Sequence, residues 1–291
     1  MAINDIFNPN EYGLPLNTAE WLEKHHQSKI YEREQMIHDL GIKQGSFIVD
    51  AGCGPGLWIP LLVKAIGPTG RILGVDISTA ILISAQQRTA KTTYHHQVQY
   101  KLASLEHLPV PYGEADLIFC ANVSQYFANP VATFAALGPY LKQGGRLVVK
   151  DMNLATMRFS HVNADLQHRV FQARARWDQE RVAYGYTFED GWVGPKLAGY
   201  LRAAGYHDVQ EKRYRIERRS PLSEHCRFYL QGTALWFVSE DAPYLSQDDK
   251  TSWLQYFSDS NSCVLDLEDF TYEESEYVVS GVWNANLSRH S

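Results

Sequence analysis

Four cysteines in 291 residues are too few and too scattered to staple a fold. Cys53, Cys120, Cys226 and Cys263 form neither a paired framework nor the close spacing of a zinc site, so they read as reduced thiols of a cytoplasmic protein. No apolar run approaches the ~18 residues that cross a bilayer. The opening Met1-Ala2-Ile3-Asn4-Asp5 also lacks the basic-then-apolar order of a secretory signal. Blocks of Lys or Arg are missing as well. The formal charge of −6 is spread along the chain, which argues against nucleic acid or a membrane surface as partner. There is no internal repeat and no low-complexity linker. No His, Asp and Glu cluster has metal-ligand spacing, so no metal is expected. What is left is an ordinary globular composition, 45% hydrophobic, with length for one large domain or one and a half.

Against that background one stretch stands out, Phe47-Ile48-Val49-Asp50-Ala51-Gly52-Cys53-Gly54-Pro55-Gly56-Leu57-Trp58. Phe47 to Asp50 reads as a short buried strand, apolar and partly β-branched. Glycines at alternate positions then let the backbone turn sharply and approach a ligand closely. Leu57 to Ile66 reads as a helix, with Pro60 tolerated in its first turn. Strand, glycine turn and helix make the frame of a nucleotide-binding βαβ unit. A dinucleotide fingerprint wants glycine at the first, third and sixth places of the turn, and here the sixth is Leu57. The preceding side chain is the anion Asp50, which suits a cationic ligand better than a pyrophosphate.

S-adenosylmethionine has no phosphate and carries both a sulfonium and an ammonium. The stretch resembles motif I of the class I S-adenosylmethionine-dependent methyltransferases, acid-x-Gly-x-Gly-x-Gly. The resemblance implies an α/β fold, a doubly wound and mostly parallel seven-stranded sheet, with S-adenosyl-L-methionine as cofactor. It extends over residues 42–151, where strand and helix alternate with short connections. Arg71 to Asp76 reads as the second strand. Asp76 closes it about 20 residues after the glycines, where a carboxylate can accept both ribose hydroxyl protons of an adenosine. Asp76 could instead cap the helix that follows, but Ser78 fills that role. A helix from Thr79 to Lys91 leads to a third strand, Val98–Ala103, and Asp116 opens a fourth. Asn129-Pro130 caps a helix through Leu141 that Gly144-Gly145 end, and Arg146–Asp151 is the fifth strand.

Cofactor contacts are implied for Asp50, Gly52, Cys53, Gly54 and Gly56 in the turn and for Asp76 and Ile77 after the second strand. Ser104, Leu105 and Glu106 follow the third strand, and Asn122 the fourth. Many relatives place an Asp for the adenine amino group where this chain has Ser104. Cys120-Ala121-Asn122-Val123 also departs from the Asn/Asp-Pro-Pro-aromatic tetrad of the nucleic-acid and amide N-methyltransferases. A small-molecule acceptor is therefore expected.

Outside that core, Asn17-Thr18 open a helical pattern that runs to Leu40 and stops at Gly41. In the family such a helix covers the pocket, though a packing role accounts for it as well. Residues 152–190 read as a helical insertion after the fifth strand, a place where the family carries a substrate lid. Phe159, Trp177, Tyr184, Tyr186, Phe188 and Trp192 would line an apolar pocket there, or serve as core or as the interface of a homo-oligomer. Val193 to Gly205 reads as a helix, His207 to Tyr214 as the sixth strand and Glu276 to Trp283 as the last, after helices at 224–239 and 248–257. The expected organisation is an N-terminal cover (1–41), the cofactor core (42–151), the insertion (152–190) and a C-terminal remainder (191–291).

The chemistry expected is direct, metal-independent methyl transfer to an apolar or aromatic metabolite. A nitrogen or phenol acceptor would need a base, for which His161, His168, Glu189 and Tyr126 are candidates, each equally readable as a surface or packing residue. An NAD-dependent dehydrogenase shares the frame but not the glycine spacing. A cofactor-binding or interaction protein without catalysis is the other alternative.

Overall fold

In the computed structural model each expected strand forms. The structure describes residues 7–9, 15–180, 182–183, 186–187, 192–238, 244–258 and 263–284. The main sheet consists of β1 (Phe47–Ala51), β2 (Arg71–Asp76), β3 (Val98–Leu102), β4 (Ala115–Ala121), β5 (Leu141–Phe159), β6 (His207–Arg219) and β7 (Thr271–Val282). Their order across the sheet is β3-β2-β1-β4-β5-β7-β6. The first five run parallel. Strand β7 is antiparallel to β5, because Trp283 exchanges backbone bonds with Gly144 and Gly145 while Thr271 meets Ser160 at the opposite ends. All of β1 is buried, as expected for a central strand covered on both faces. The chain steps from β1 outward to β2 and β3, then crosses back to lay β4 on the other side of β1. That reversal opens a crevice at the carboxyl ends of β1 and β4.

Nine α-helices accompany the sheet among the described residues: α1 (Ala19–Ser28), α2 (Ile30–Asp39), α3 (Ile59–Ile66), α4 (Thr79–Ala90), α5 (Pro130–Leu137), α6 (Ala164–Glu180), α7 (Leu197–Ala203), α8 (Glu224–Phe237) and α9 (Gln247–Phe257). Thr18, Ser78 and Asn129 cap α1, α4 and α5 with side-chain oxygens, as the sequence signals require. None of the described helices is long and apolar enough to cross a membrane.

Some expectations need correction. The helix expected from Thr18 to Leu40 is two, broken at Lys29. There the Arg218 guanidinium takes the Ser28 carbonyl at 2.9 Å, an oxygen that a continuous helix would use internally. Gly144-Gly145 do not end a helix. After α5 a single 3-10 turn, Gly138–Tyr140, leads into β5, and the glycines form a register irregularity between Leu141 and Arg146. The fifth strand also runs on to Phe159 instead of stopping at Asp151.

The chain forms two compact units, each built from three stretches. One comprises 31–152, 193–214 and 276–291 and contains the crevice. Its core joins Val49, Ala51, Val75, Ile118, Cys120, Leu147 and Val149 of the sheet to Phe134, Leu197 and Leu201 of the helices. The other comprises 1–30, 153–192 and 215–275. There α1 packs on α8, and Phe159, Phe171, Phe237 and Phe257 gather around the fully buried Trp253. Phe159 is thus a core ring. Trp177, Tyr184, Tyr186 and Phe188 have side chains outside the described residues.

Candidate functional site

Glycine is required at the turn after β1, where Gly52, Gly54 and Gly56 have φ of 75°, 54° and 76°. The N–H groups of Gly52 and Cys53 both donate to the Val75 carbonyl, at 2.7 and 3.0 Å, and hold the turn to β2. A Cβ on Gly52 would lie 2.6 Å from Val123, so the segment after β4 is packed onto this glycine. At Gly54 a Cβ would meet nothing within 4 Å. The turn is therefore closed against protein at Gly52 and open at Gly54.

Asp76, the last residue of β2, fastens the open part. One of its oxygens accepts the Gly54 N–H at 2.9 Å and the other the Ser78 N–H at 3.0 Å. A carboxylate at this place can also accept from a ribose hydroxyl. Asp50 lies at the end of β1, 1% exposed, and its Oδ2 has no hydrogen-bond partner. Burial, with the Asp76 charge adding to it, pushes the Asp50 carboxyl up to about 8. A buried carboxylate oxygen without a donor is costly, and a cationic ligand would answer it. The orphaned oxygen and the open space at Gly54 fit the amino-acid end of S-adenosylmethionine.

Across the crevice, Asn122 follows β4 with φ of 57°, a conformation that Asn tolerates better than most residues. Its N–H donates to the Lys150 carbonyl at 2.8 Å, and its Oδ1 accepts from Lys150 Nζ at 2.8 Å. The Lys150 ammonium is fully buried and paired with an equally buried Glu276 on β7 at 2.7 Å. Beside them Ser124 donates to Asp151, whose other oxygen accepts the Met152 N–H. Burial pushes the Asp151 carboxyl up to about 6, against the lowering effect of Ser124 and Lys150.

No motif in the sequence marks this cluster of Lys150, Asp151, Ser124 and Glu276. Its one local signal is a Lys-Asp pair closing the apolar run Leu147–Val149.

The remaining candidates divide by location. Ile77 is half-buried beside the helix-capping Ser78. Ser104 is half-buried in the turn after β3, its carbonyl accepting the His107 N–H, and Glu106 is exposed. Leu105 spends its side chain in the core. Cys53 is buried beside β2, its sulfur 3.0 Å from where a Cβ on Gly74 would stand, and burial raises its thiol well above the usual range. Tyr126 is half-buried in the 3-10 turn Ser124–Tyr126, close in sequence to Asn122. His161 and His168 belong to the other unit, where His161 pairs with Asp269 at 3.0 Å and His168 is exposed. Glu189 lies outside the described residues. Among the described residues no three His, Cys, Asp or Glu gather as metal ligands.

A family model described as a methyltransferase domain matches residues 42–212. An uncharacterised 37.1 kDa protein of a Streptomyces fradiae transposon is 29% identical over 171 residues, 59% of this chain and 46% of that protein. Demethylmenaquinone methyltransferase of Staphylococcus saprophyticus is 28% identical over 124 residues, 43% of this chain and 52% of that one. The chain thus spans about half the length of these curated relatives. Among solved structures, a presumed methyltransferase from Bacillus halodurans superposes with a TM-score of 0.53 at 13% identity, over 87% of this chain and 99% of that one. A geranyl diphosphate methyltransferase in complex with S-adenosylmethionine gives 0.50 at 15% identity, over 96% and 97%. At such identities the structures speak for a shared fold.

Proposed function

The chain belongs to the methyltransferase domain family, and we propose that it transfers a methyl group from S-adenosylmethionine to a small apolar or aromatic acceptor, by direct displacement and without a metal. The observation that carries this reading is the buried Asp50 carboxyl with its unpartnered Oδ2 beside a glycine turn open at Gly54. A pyrophosphate would meet no donor there, whereas an ammonium would supply the hydrogen bond that Asp50 Oδ2 lacks. Relatives named demethylmenaquinone methyltransferase support a small-molecule acceptor.

When bound, the donor supplies a methyl group on an already activated sulfonium, so the protein's task is alignment rather than activation. The backbone of Gly52, Cys53, Gly54 and Gly56 would cradle the methionine end, Asp50 would answer the ammonium and Asp76 the ribose. Ile77, Ser104, the Leu105 backbone and Glu106 would hold the adenine, and Asn122 the methionine end. An acceptor atom held in line at about 3–3.5 Å from the methyl carbon needs nothing further from the chain unless it must lose a proton. For that step Tyr126 is the candidate within the same unit. We place the reaction in the cytoplasm, where the four unbridged, buried thiols stay reduced.

Calorimetric titration with S-adenosylmethionine and with NAD, followed by transfer of a labelled methyl group to a panel of small acceptors, bulk protein and RNA, tests the reading. Binding of the methyl donor alone and label on a small molecule are expected. Preference for NAD, or label only on protein or RNA, would overturn it. Activity lost to chelators and restored by magnesium would overturn the metal-free step.

A further inference from the structure

We propose that Lys150 is a positioning residue, anchored by Glu276, that turns the Asn122 amide so that its NH2 group serves the carboxylate of the donor's amino-acid end. The inference rests on the methyltransferase reading and adds residues that no sequence motif marks.

Lys150 sits on β5 opposite Ala121, one residue before Asn122. Its ammonium has only donors, so the Asn122 oxygen must face it, and the contact is 2.8 Å to Oδ1. The amide is planar, and its NH2 therefore points away from the ammonium. The backbone bond from Asn122 N–H to the Lys150 carbonyl holds the same residue in its left-handed conformation. Two bonds to one residue thus fix both the main chain and the side chain of Asn122.

The chemistry of the two sides then matches an amino acid. Val123, next to Asn122, packs on Gly52, while Gly54 is tied to Asp76. A ligand with its ribose on Asp76 therefore extends along the turn toward Asn122. At that end Asp50 offers a carboxylate oxygen for an ammonium and Asn122 offers two N–H donors for a carboxylate. The Lys150–Glu276 pair contributes little as a stability device, since an apolar pair of similar volume would serve a sheet interior as well. Its use lies in what the ammonium orients.

The test compares two probes, S-adenosylhomocysteine and 5′-methylthioadenosine, which share the adenosine but differ in the amino-acid end. Asn122→Gly keeps the backbone conformation and removes the amide. Lys150→Met with Glu276→Gln removes the ammonium without stranding a charge. Each should weaken S-adenosylhomocysteine about tenfold or more, as for a lost hydrogen bond to a charged group. Both should leave 5′-methylthioadenosine within about twofold, and combining them should add nothing, because Lys150 acts through Asn122.

Additive losses, equal losses on both probes or unchanged binding would overturn the inference. Should the Lys150 variant fail to fold, Asn122→Asp keeps an acceptor for Lys150 and deletes the donors. Selective loss of S-adenosylhomocysteine supports the inference, and unchanged affinity overturns it. A wild-type protein that binds neither probe overturns the methyltransferase reading itself, and the inference with it.

Discussion

Asp50 carries a proton that a ligand must displace. With its carboxyl pushed up to about 8, it is mostly neutral at pH 7, and a cation seated against it favours the ionised form. Binding of S-adenosylmethionine at pH 7 should therefore release a proton from Asp50, and affinity should rise with pH toward about 8 and then fall as the ligand's own ammonium loses its proton. Titrations in buffers of different ionisation enthalpy measure this, and Asp50→Asn should abolish the release. Gly54→Val should block binding, because its side chain would fill the open space while forcing a β-branched residue to positive φ. Asp76→Ala removes the acceptor of both Gly54 and Ser78 and should cost about 1–3 kcal/mol of binding free energy. Asp50, the glycines and Asp76 were legible in the sequence because their geometry is local: one turn, and one strand ending beside it. Lys150 and Glu276 were not, since 126 positions separate them and only the β5–β7 neighbourhood makes them a pair.

At the scale of elements, strand β7 explains what patterning concealed. Thr271-Tyr272-Glu273-Glu274-Ser275-Glu276 carries three glutamates, and the sequence pattern starts the last strand only at Glu276. Two of those glutamates are instead buried and matched by lysines, Glu274 with Lys29 at 2.6 Å and Glu276 with Lys150. Tyr229 bonds both Lys29 and Glu274. Lys29 stands at the α1–α2 break, so a helical period that looked continuous contains a residue drawn inward by its charge. Lys29→Met should strand Glu274 and destabilise the protein by about 3–5 kcal/mol in urea unfolding, while Lys29→Met with Glu274→Leu should recover much of that loss. Strand β5 was cut short for a different reason. Its alternation breaks where the Asn153 side chain accepts the Ala155 N–H and Thr156 donates to the Asn153 carbonyl, before Met157 and Phe159 turn inward again.

For the whole molecule, the raised carboxyls set a direction for stability against pH. Asp50 and Asp151 titrate higher in the folded chain than their usual 3.8, so the folded state holds protons that the unfolded chain has released. Their contribution is complete below about pH 4 and declines as pH rises, through about 6 for Asp151 and about 8 for Asp50. Asp39, lowered mainly by Lys212, works the other way and loses its contribution as pH falls. The thermal midpoint should accordingly drop between pH 5 and 8 by more in the wild type than in Asp50→Asn, as scanning calorimetry would register. Only a parallel sheet over the cofactor core was foreseeable from the alternation of strands and helices. The division into two units was not, because it follows from contacts among stretches far apart in the chain.

That division has a consequence for the gene. Residues 31–152, 193–214 and 276–291 form one unit and the intervening stretches the other, so the reading frame alternates between them. A single break in the frame anywhere between residues 31 and 275 leaves neither unit whole on either side. A fragment ending at residue 152 would encode Lys150 yet lack Glu276, and with it the buried counter-charge that Lys150 meets in the folded chain. Within those bounds no truncation delivers one unit whole without the other.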